Sequence, residues 1–184
     1  GYYERHDVTA LQEQLLIDLD RFWAGARGYL PLPPNWRSLE CTKRCEDGLR
    51  KILSQESIRQ KGPWAIKDPR SSVLLPLWRD LCQELGIPLQ LVLALRSPVA
   101  VVSSVMARDE SLAGMTWWRA QQLWWRFNTA VLESKVFSYE NPLTVVHYEN
   151  WFVEPELQAF SLASALGLSE PDDYQLCKLK AIIN

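Results

Sequence analysis

The chain has 184 residues, of which 47% are hydrophobic and 23% charged, and its formal net charge is −2. This composition is typical of a globular domain and excludes a disordered chain. The near-neutral charge excludes a broadly basic nucleic-acid binder, and no long apolar run occurs that could span a membrane. We therefore expect a single domain over residues 1–184, with neither nucleic acid nor membrane as a partner.

The first third of the chain is predicted to be helical. Leucines at helical spacing predict a helix from Asp7, a suitable N-cap, to about Trp23. Residues 25–34 are rich in glycine and proline and predict a loop. A charged helix, or a pair of helices, follows over residues 38–60 and is ended by Gly62-Pro63.

Strands and helices alternate in the rest of the chain. The predicted strands cover residues 64–67, 89–95 and 143–146. The predicted helices run from Ser71 or Ser72 to Gly86, from Pro98 onwards, over residues 116–135 and over residues 155–166. The apolar second strand is typical of a parallel strand buried on both faces. This order predicts an α/β fold, a three-layer parallel sheet with flanking helices.

Four of the nine tryptophans lie on one predicted helix. Trp117, Trp118, Trp124 and Trp125 fall at i, i+1, i+7 and i+8, which places them on one helical face. We expect that face to pack on the sheet or on the first predicted helix.

The numbers of cysteines and histidines limit which metal sites and disulfides are possible. The four cysteines are Cys41, Cys45, Cys82 and Cys177. The only histidines are His6 and His147, so no metal site is expected. A chain of this size needs no disulfide framework, and we expect reduced thiols and a cytoplasmic protein.

Two predicted strand ends carry charged residues. Ligands of open α/β sheets bind at the carboxyl ends of strands, near helix N-termini that attract anions. The first strand end carries Lys67-Asp68-Pro69-Arg70, and the second carries Arg96-Ser97-Pro98 with Ser104 further along the helix. Because an arginine fork suits phosphate, Arg96 and Ser104 could form a phosphate site. Alternatively, Arg96 forms a structural salt bridge and the serine lies on the helix surface.

The second strand end also resembles a known family. Its Arg-x-Pro-x-x-Val-x-x-Ser pattern is similar to the 3′-phosphate-binding element of sulfotransferases that use 3′-phosphoadenosine-5′-phosphosulfate (PAPS). Four further segments, in the same order, resemble bacterial-type members of that family. They are Gly1-Tyr2-Tyr3-Glu4, Lys67-Asp68-Pro69-Arg70 with Leu75-Pro76-Leu77-Trp78, Leu123-Trp124 with Asn128, and Tyr148-Glu149-Asn150.

The resemblance implies a P-loop-NTPase-like core. Members of the family begin with a strand and an Arg-Ser-Gly-Thr-Ser type of turn that cradles the 5′-phosphosulfate, and these 184 residues contain no such turn. We therefore expect an N-terminally truncated core that lacks its first βα unit. Loss of that unit would expose a sheet surface and favour a homo-oligomer.

The implied reaction transfers a sulfonate from PAPS, without a metal, to a hydroxyl or amine of a small molecule, carbohydrate or lipid. Activity is expected in a complete chain, and these 184 residues alone are expected to show little or none. The alternative is a non-catalytic interaction module that keeps the sulfotransferase core.

The resemblance also assigns roles to the charged residues. Arg96 and Ser104 would hold the 3′-phosphate, whereas Lys67 and Arg70 would clamp the sulfonate or an anionic acceptor. Asp68 is the first candidate for the general base and Glu4 the second. The alternative role of Asp68 is a salt bridge or a cap on the following helix, and that of Glu4 is a helix-capping acid.

Overall fold

The structure is a computed structural model that describes residues 4–109, 114–138 and 140–183. Most of these residues are helical, and two strands form one small sheet. The chain divides into two compact units. The helical unit comprises Gly1–Leu89 and Val102–Val136, and the sheet unit comprises Gln90–Val101 and Phe137–Asn184. The prediction of a single domain stays a prediction.

The helical unit contains most of the long helices. They are α1 (His6–Asp18), the short 3-10 helix Trp36–Ser38, α2 (Glu40–Arg59), α3 (Ser71–Glu84), most of α4 (Pro98–Asp109) and α5 (Trp117–Glu133). α1 ends earlier than predicted, and Asp20 just beyond it adopts a left-handed backbone with φ 55°. The predicted start of α5 is confirmed, because the Thr116 side chain accepts the N–H of Arg119 as an N-cap does.

An apolar core holds this unit together. α1 packs on α2, α2 packs on α3, and α3 packs on α5. The side chains with almost no exposure in this core are Val8, Leu15, Leu16, Leu49, Leu53, Leu74 and Leu77. Each buried leucine contributes about 1.5–3 kcal/mol relative to an exposed one, so this cluster supplies the main stabilisation of the unit.

The sheet unit contains two parallel strands and three helices. They are β1 (Leu91–Leu95), β2 (Leu143–His147), α6 (Asn150–Val153), α7 (Pro155–Ala165) and α8 (Asp173–Ile183). Leu91 lies opposite Leu143, and Leu95 lies opposite His147. The parallel register brings the carboxyl ends of both strands to the same edge of the sheet. α8 was not predicted from the sequence.

The prediction of a three-layer parallel sheet with a P-loop-NTPase-like core is wrong. Residues 64–67 have no regular secondary structure and form no ladder with any strand in the described part of the chain, so the sheet has two strands. Trp64 and Ile66 pack instead against the helical core. The apolar residues that predicted a strand therefore serve to pack this segment on helices.

The predicted burial of the sheet is wrong as well. Val92 in β1 is 44% exposed and Val145 in β2 is 45% exposed. Strands buried on both faces need layers on both sides. The apolar composition thus predicted a strand correctly but did not predict how deeply it lies.

The predicted packing of the α5 tryptophans is wrong for three of the four, whereas Trp124 is half-buried and packs against Ala120 and Leu123. Trp117, Trp118 and Trp125 are 54%, 55% and 61% exposed. The buried side of α5 carries small and aliphatic residues, namely Ala120, Leu123, Ala130 and Val131. Ala130 lies in the apolar core with residues of α3, whereas Ala120 and Leu123 pack with Val102 and Met115.

The remaining general features concern membranes, metals and thiols. In the described ranges, no helix has the length and apolar character needed to cross a bilayer, and no three potential metal-ligating side chains come together. All four cysteines are free thiols, of which Cys45 and Cys82 are buried and Cys177 is exposed. Burial raises the pKa of the Cys45 thiol to about 12.

Candidate functional site

The predicted site residues fall in three places. Glu4, Lys67, Asp68 and Arg70 come together in the helical unit, in what we call the Asp68 cluster. Arg96 lies in the sheet unit, directly after β1. Ser104 is exposed on the part of α4 that belongs to the helical unit. Of the predicted Gly1-Tyr2-Tyr3-Glu4 segment, only Glu4 lies within the described residues.

Asp68 is the centre of the cluster, and its side chain is 1% exposed. Its Oδ2 accepts a hydrogen bond from Nε2 of Gln12 at 2.7 Å. Its Oδ1 accepts the backbone N–H of Arg70 at 2.9 Å and Nη1 of Arg70 at 3.0 Å. Arg70 is the residue before α3, so Asp68 both forms a salt bridge and satisfies a donor at the start of that helix. This arrangement corresponds to the alternative role that the sequence left open.

The two cations of the cluster are paired with carboxylates. Nζ of Lys67 lies 2.8 Å from Glu4 Oε1, and Nη1 of Arg70 lies 3.4 Å from Glu4 Oε2. Nη2 of Arg70 donates to Glu13 on α1. With Glu13 counted, two cations face three carboxylates, which gives a formal charge of −1. An added anion would have to displace Glu4 or Glu13 from these cations.

Burial and hydrogen bonding shift the pKa of Arg70 in opposite directions. Burial alone would lower the pKa of its guanidinium. The hydrogen bonds and charges of Asp68 and Glu13 outweigh this effect, so the pKa lies above the ordinary arginine value. Arg70 is therefore a permanent cation that ties the segment before α3 to α1.

Gln12 is the member of this site that sequence reasoning missed. It is fully buried on α1, and its Oε1 accepts hydrogen bonds from Nε1 of Trp78 at 2.8 Å and from Oγ of Ser71 at 3.1 Å. Together with its bond to Asp68, the amide of Gln12 joins α1 to α3. The available signal was its spacing, because Gln12 shares the apolar face of α1 with Val8 and Leu15.

The end of β1 has a different geometry, which we call the Arg96 turn (residues 95–98 with residues 148–149). The guanidinium carbon of Arg96 lies 4.4 Å from the ring centroid of Tyr148, which is within cation–π range. The backbone N–H of Tyr148 donates to the carbonyl of Leu95 at 2.8 Å. The backbone N–H of Ser97 donates to Oε1 of Glu149 at 3.0 Å.

The Arg96 turn leads directly into α4, which begins at Pro98. The Ser97 carbonyl accepts the N–H of Val101, as the residue before a helix does. The hydrogen bond from Ser97 is the first cause of the lowered pKa of Glu149, and the charge of Arg96 adds to it. The Glu149 carboxylate thus lies where Arg96 and the start of α4 both favour an anion.

Comparison with known proteins adds no family to these observations. No protein-family model, no curated protein and no solved structure matches this chain. The resemblance to PAPS-dependent sulfotransferases therefore stays a prediction that rests on the quoted segments.

Proposed function

We propose that this chain binds the 3′-phosphate of PAPS at the Arg96 turn and takes part in sulfonate transfer to a hydroxyl or amine. The observation that carries the proposal is the Arg96 turn itself. Arg96 follows a parallel strand directly, precedes a helix, and lies beside an amide that already holds a carboxylate. The residues that resemble the family's 3′-phosphate element fall on this strand, turn and helix.

The proposed contacts to the donor are a charge-assisted pair and a hydroxyl. A bidentate contact between Arg96 and phosphate contributes about 1.5–3 kcal/mol. Ser104 is exposed on α4, and its hydroxyl is proposed to donate a hydrogen bond to the 3′-phosphate. Lys67 and Arg70 are proposed to clamp the sulfonate or an anionic acceptor, which requires that they exchange their carboxylate partners for it.

The two proposed general bases differ in access. Both oxygens of Asp68 are occupied by donors, and its side chain is almost fully buried. The side chain of Glu4 is 17% exposed. Because a base must come within hydrogen-bond distance of the acceptor, accessibility favours Glu4 over Asp68.

Titration with adenosine 3′,5′-bisphosphate, followed by calorimetry, tests the proposal. We expect weak binding, with a Kd of about 1 mM, that is lost in Arg96→Ala. The matched control is Lys178→Ala, because Nζ of Lys178 lies 4.5 Å from the Tyr174 ring in the same unit and thus repeats the cation–tyrosine stack away from the strand end. Binding that is unchanged in Arg96→Ala would contradict the proposal.

The second candidate function is the non-catalytic interaction module, and the exposed face of α5 favours it. Trp118, Trp125 and Leu132 recur at seven-residue spacing, and each is more than half exposed. Such apolar stripes mark protein interfaces, and seven-residue spacing suits a second helix. We propose a second copy of this chain as the occupant.

Light scattering over a wide concentration range tests this second candidate. We expect a dimer whose dissociation constant rises in Trp125→Ser. The control is Ile58→Ser on α2, because Ile58 is 87% exposed and lies on another helix. A monomer at all concentrations, or equal weakening by both substitutions, would contradict the candidate.

We also propose a cytoplasmic location. Its support is the free state of all four cysteines, two of which are buried in the helical unit, since disulfides are rare in reducing compartments. Recovery of the native protein with a disulfide, measured by mass under non-reducing conditions, would count against it.

A further inference from the structure

We propose that Tyr148 and Glu149 are positioning residues that hold Arg96 in the orientation in which it binds a phosphate. The inference rests on the function proposed above for the same turn. It assigns no reacting atom to either residue. The two residues directly follow β2, and Arg96 directly follows β1, the strand paired with it.

The backbone on both sides of Arg96 is fixed by these consecutive residues. The carbonyl of Leu95, before Arg96, accepts the N–H of Tyr148 at 2.8 Å. The N–H of Ser97, after Arg96, donates to the Glu149 carboxylate at 3.0 Å. Because both neighbours of Arg96 are bonded to residues 148–149, the position of its Cα is set by the segment that follows β2 and not by its own turn alone.

The side chain of Arg96 is oriented by the Tyr148 ring. A guanidinium that stacks on a ring uses its flat face, whereas it binds phosphate through the N–H groups at its edge. The 4.4 Å stack is therefore compatible with a phosphate contact. Restricting the side chain before binding also reduces the entropy that the ligand must overcome.

Glu149 has two opposed effects on an anion, and they can be separated by substitution. Its hydrogen bond to Ser97 holds the turn, which favours binding. Its negative charge lies near Arg96, which disfavours binding of a second anion. Glu149→Gln keeps an oxygen acceptor for the Ser97 N–H and removes the charge, whereas Glu149→Ala removes both.

The binding experiment uses adenosine 3′,5′-bisphosphate with two pairs of variants. We expect Glu149→Gln to bind at least as tightly as the wild type and Glu149→Ala to bind about tenfold more weakly. We expect Tyr148→Phe, which keeps the ring, to bind like the wild type, and Tyr148→Leu to bind several-fold more weakly. If Glu149→Ala and Tyr148→Leu both bind as the wild type does, the proposal is overturned.

A second measurement separates this proposal from the proposed function. Without any nucleotide, ¹⁵N relaxation of the Arg96 Nε–H reports how rigidly the side chain is held, and the Ser97 amide shift reports its hydrogen bond. We expect greater Arg96 mobility in Tyr148→Leu and a Ser97 shift change in Glu149→Ala, with the conservative variants unchanged. If the wild type binds no nucleotide, the proposed function fails, and these nucleotide-free readouts still support or overturn the positioning role.

Discussion

The Asp68 cluster and the Arg96 turn both combine an arginine with carboxylates at the start of a helix, but they differ in burial and in pairing. Asp68 is almost fully buried, its Oδ2 is bonded to Gln12 of α1 and its Oδ1 to Arg70, and Arg70 also pairs with Glu13 of α1. Glu149 at the Arg96 turn is exposed and accepts a hydrogen bond from the backbone N–H of Ser97. Similar residue types thus serve stability where they are closed off from water, and can serve recognition where they remain accessible.

Asp68→Ala is expected to cause the largest loss of stability and so to test the difference between the two regions most strongly. The substitution breaks a buried pair and leaves the Gln12 amide and the Arg70 backbone N–H without their acceptor. Arg70 keeps Glu4 and Glu13, so we expect a loss of about 3 kcal/mol in the free energy of unfolding, the low end for a broken buried pair.

The matched control for Asp68→Ala is Asp80→Ala. Asp80 pairs with Arg37 and Arg79, but its side chain is 41% exposed, so its loss should cost less than about 1 kcal/mol. Urea unfolding of both variants measures the difference. Equal losses would contradict a structural role for the buried cluster.

Gln12→Leu should have the next largest effect. It removes the acceptor of the Trp78 indole N–H and of the Ser71 hydroxyl, and one donor to Asp68. Leaving such buried groups unsatisfied should cost about 2 kcal/mol. Gln14→Leu, at an exposed position on the same helix, is the control, and thermal unfolding that is equal for both would argue against the network.

A third carboxylate, Glu56, should make stability depend on acidic pH. Hydrogen bonds from Gln60 and then from Arg5 and Arg59 lower its pKa to about 2. An unfolded glutamate has a pKa of about 4.3. Because the folded pKa is the lower one, the contribution of Glu56 is present above about pH 4.3 and is lost as the pH falls toward about 2. Unfolding followed over this pH range should be less pH-dependent in Glu56→Gln, and equal slopes would contradict this.

The smallest effect on stability is expected from Arg96→Ala. Arg96 is half-buried, and its cation–π contact with Tyr148 contributes about 0.5–2 kcal/mol, so the unfolding midpoint should change less than in the other variants. Arg70→Ala, in contrast, leaves Asp68 and Glu13 without their shared cation and should lower the midpoint clearly. A larger loss for Arg96→Ala than for Arg70→Ala would reverse the roles that we assign to the two regions.

Helices were predictable from the sequence because their signals are local. Leucine spacing, Gly62-Pro63 and Gly86 placed α2 and α3 within a few residues of their observed ends. α8 also had a local signal that was overlooked. The Asp172 backbone N–H donates to the Gln175 side chain, and the Gln175 N–H donates to the Asp172 side chain, which is a capping box.

Strand pairing and the partners of the Asp68 cluster were less predictable because they depend on residues distant in sequence. The sequence of residues 64–67 alone does not indicate that they pack on helices instead of pairing with a strand. Lys67, Asp68 and Arg70 lie together because they are neighbours in the chain. The sequence could not show that Gln12 and Glu13 on α1 would complete their hydrogen bonds.

The central claim is that the Arg96 turn, and not the Asp68 cluster, is where this chain binds the 3′-phosphate of the nucleotide. An ¹⁵N–¹H NMR titration with adenosine 3′,5′-bisphosphate tests it most directly, because it locates binding residue by residue. We expect concentration-dependent shifts of the Ser97, Tyr148 and Glu149 amides, with the Asp68 and Arg70 amides unchanged. Shifts centred on Asp68 and Arg70, or no shifts at any millimolar concentration, would contradict the claim.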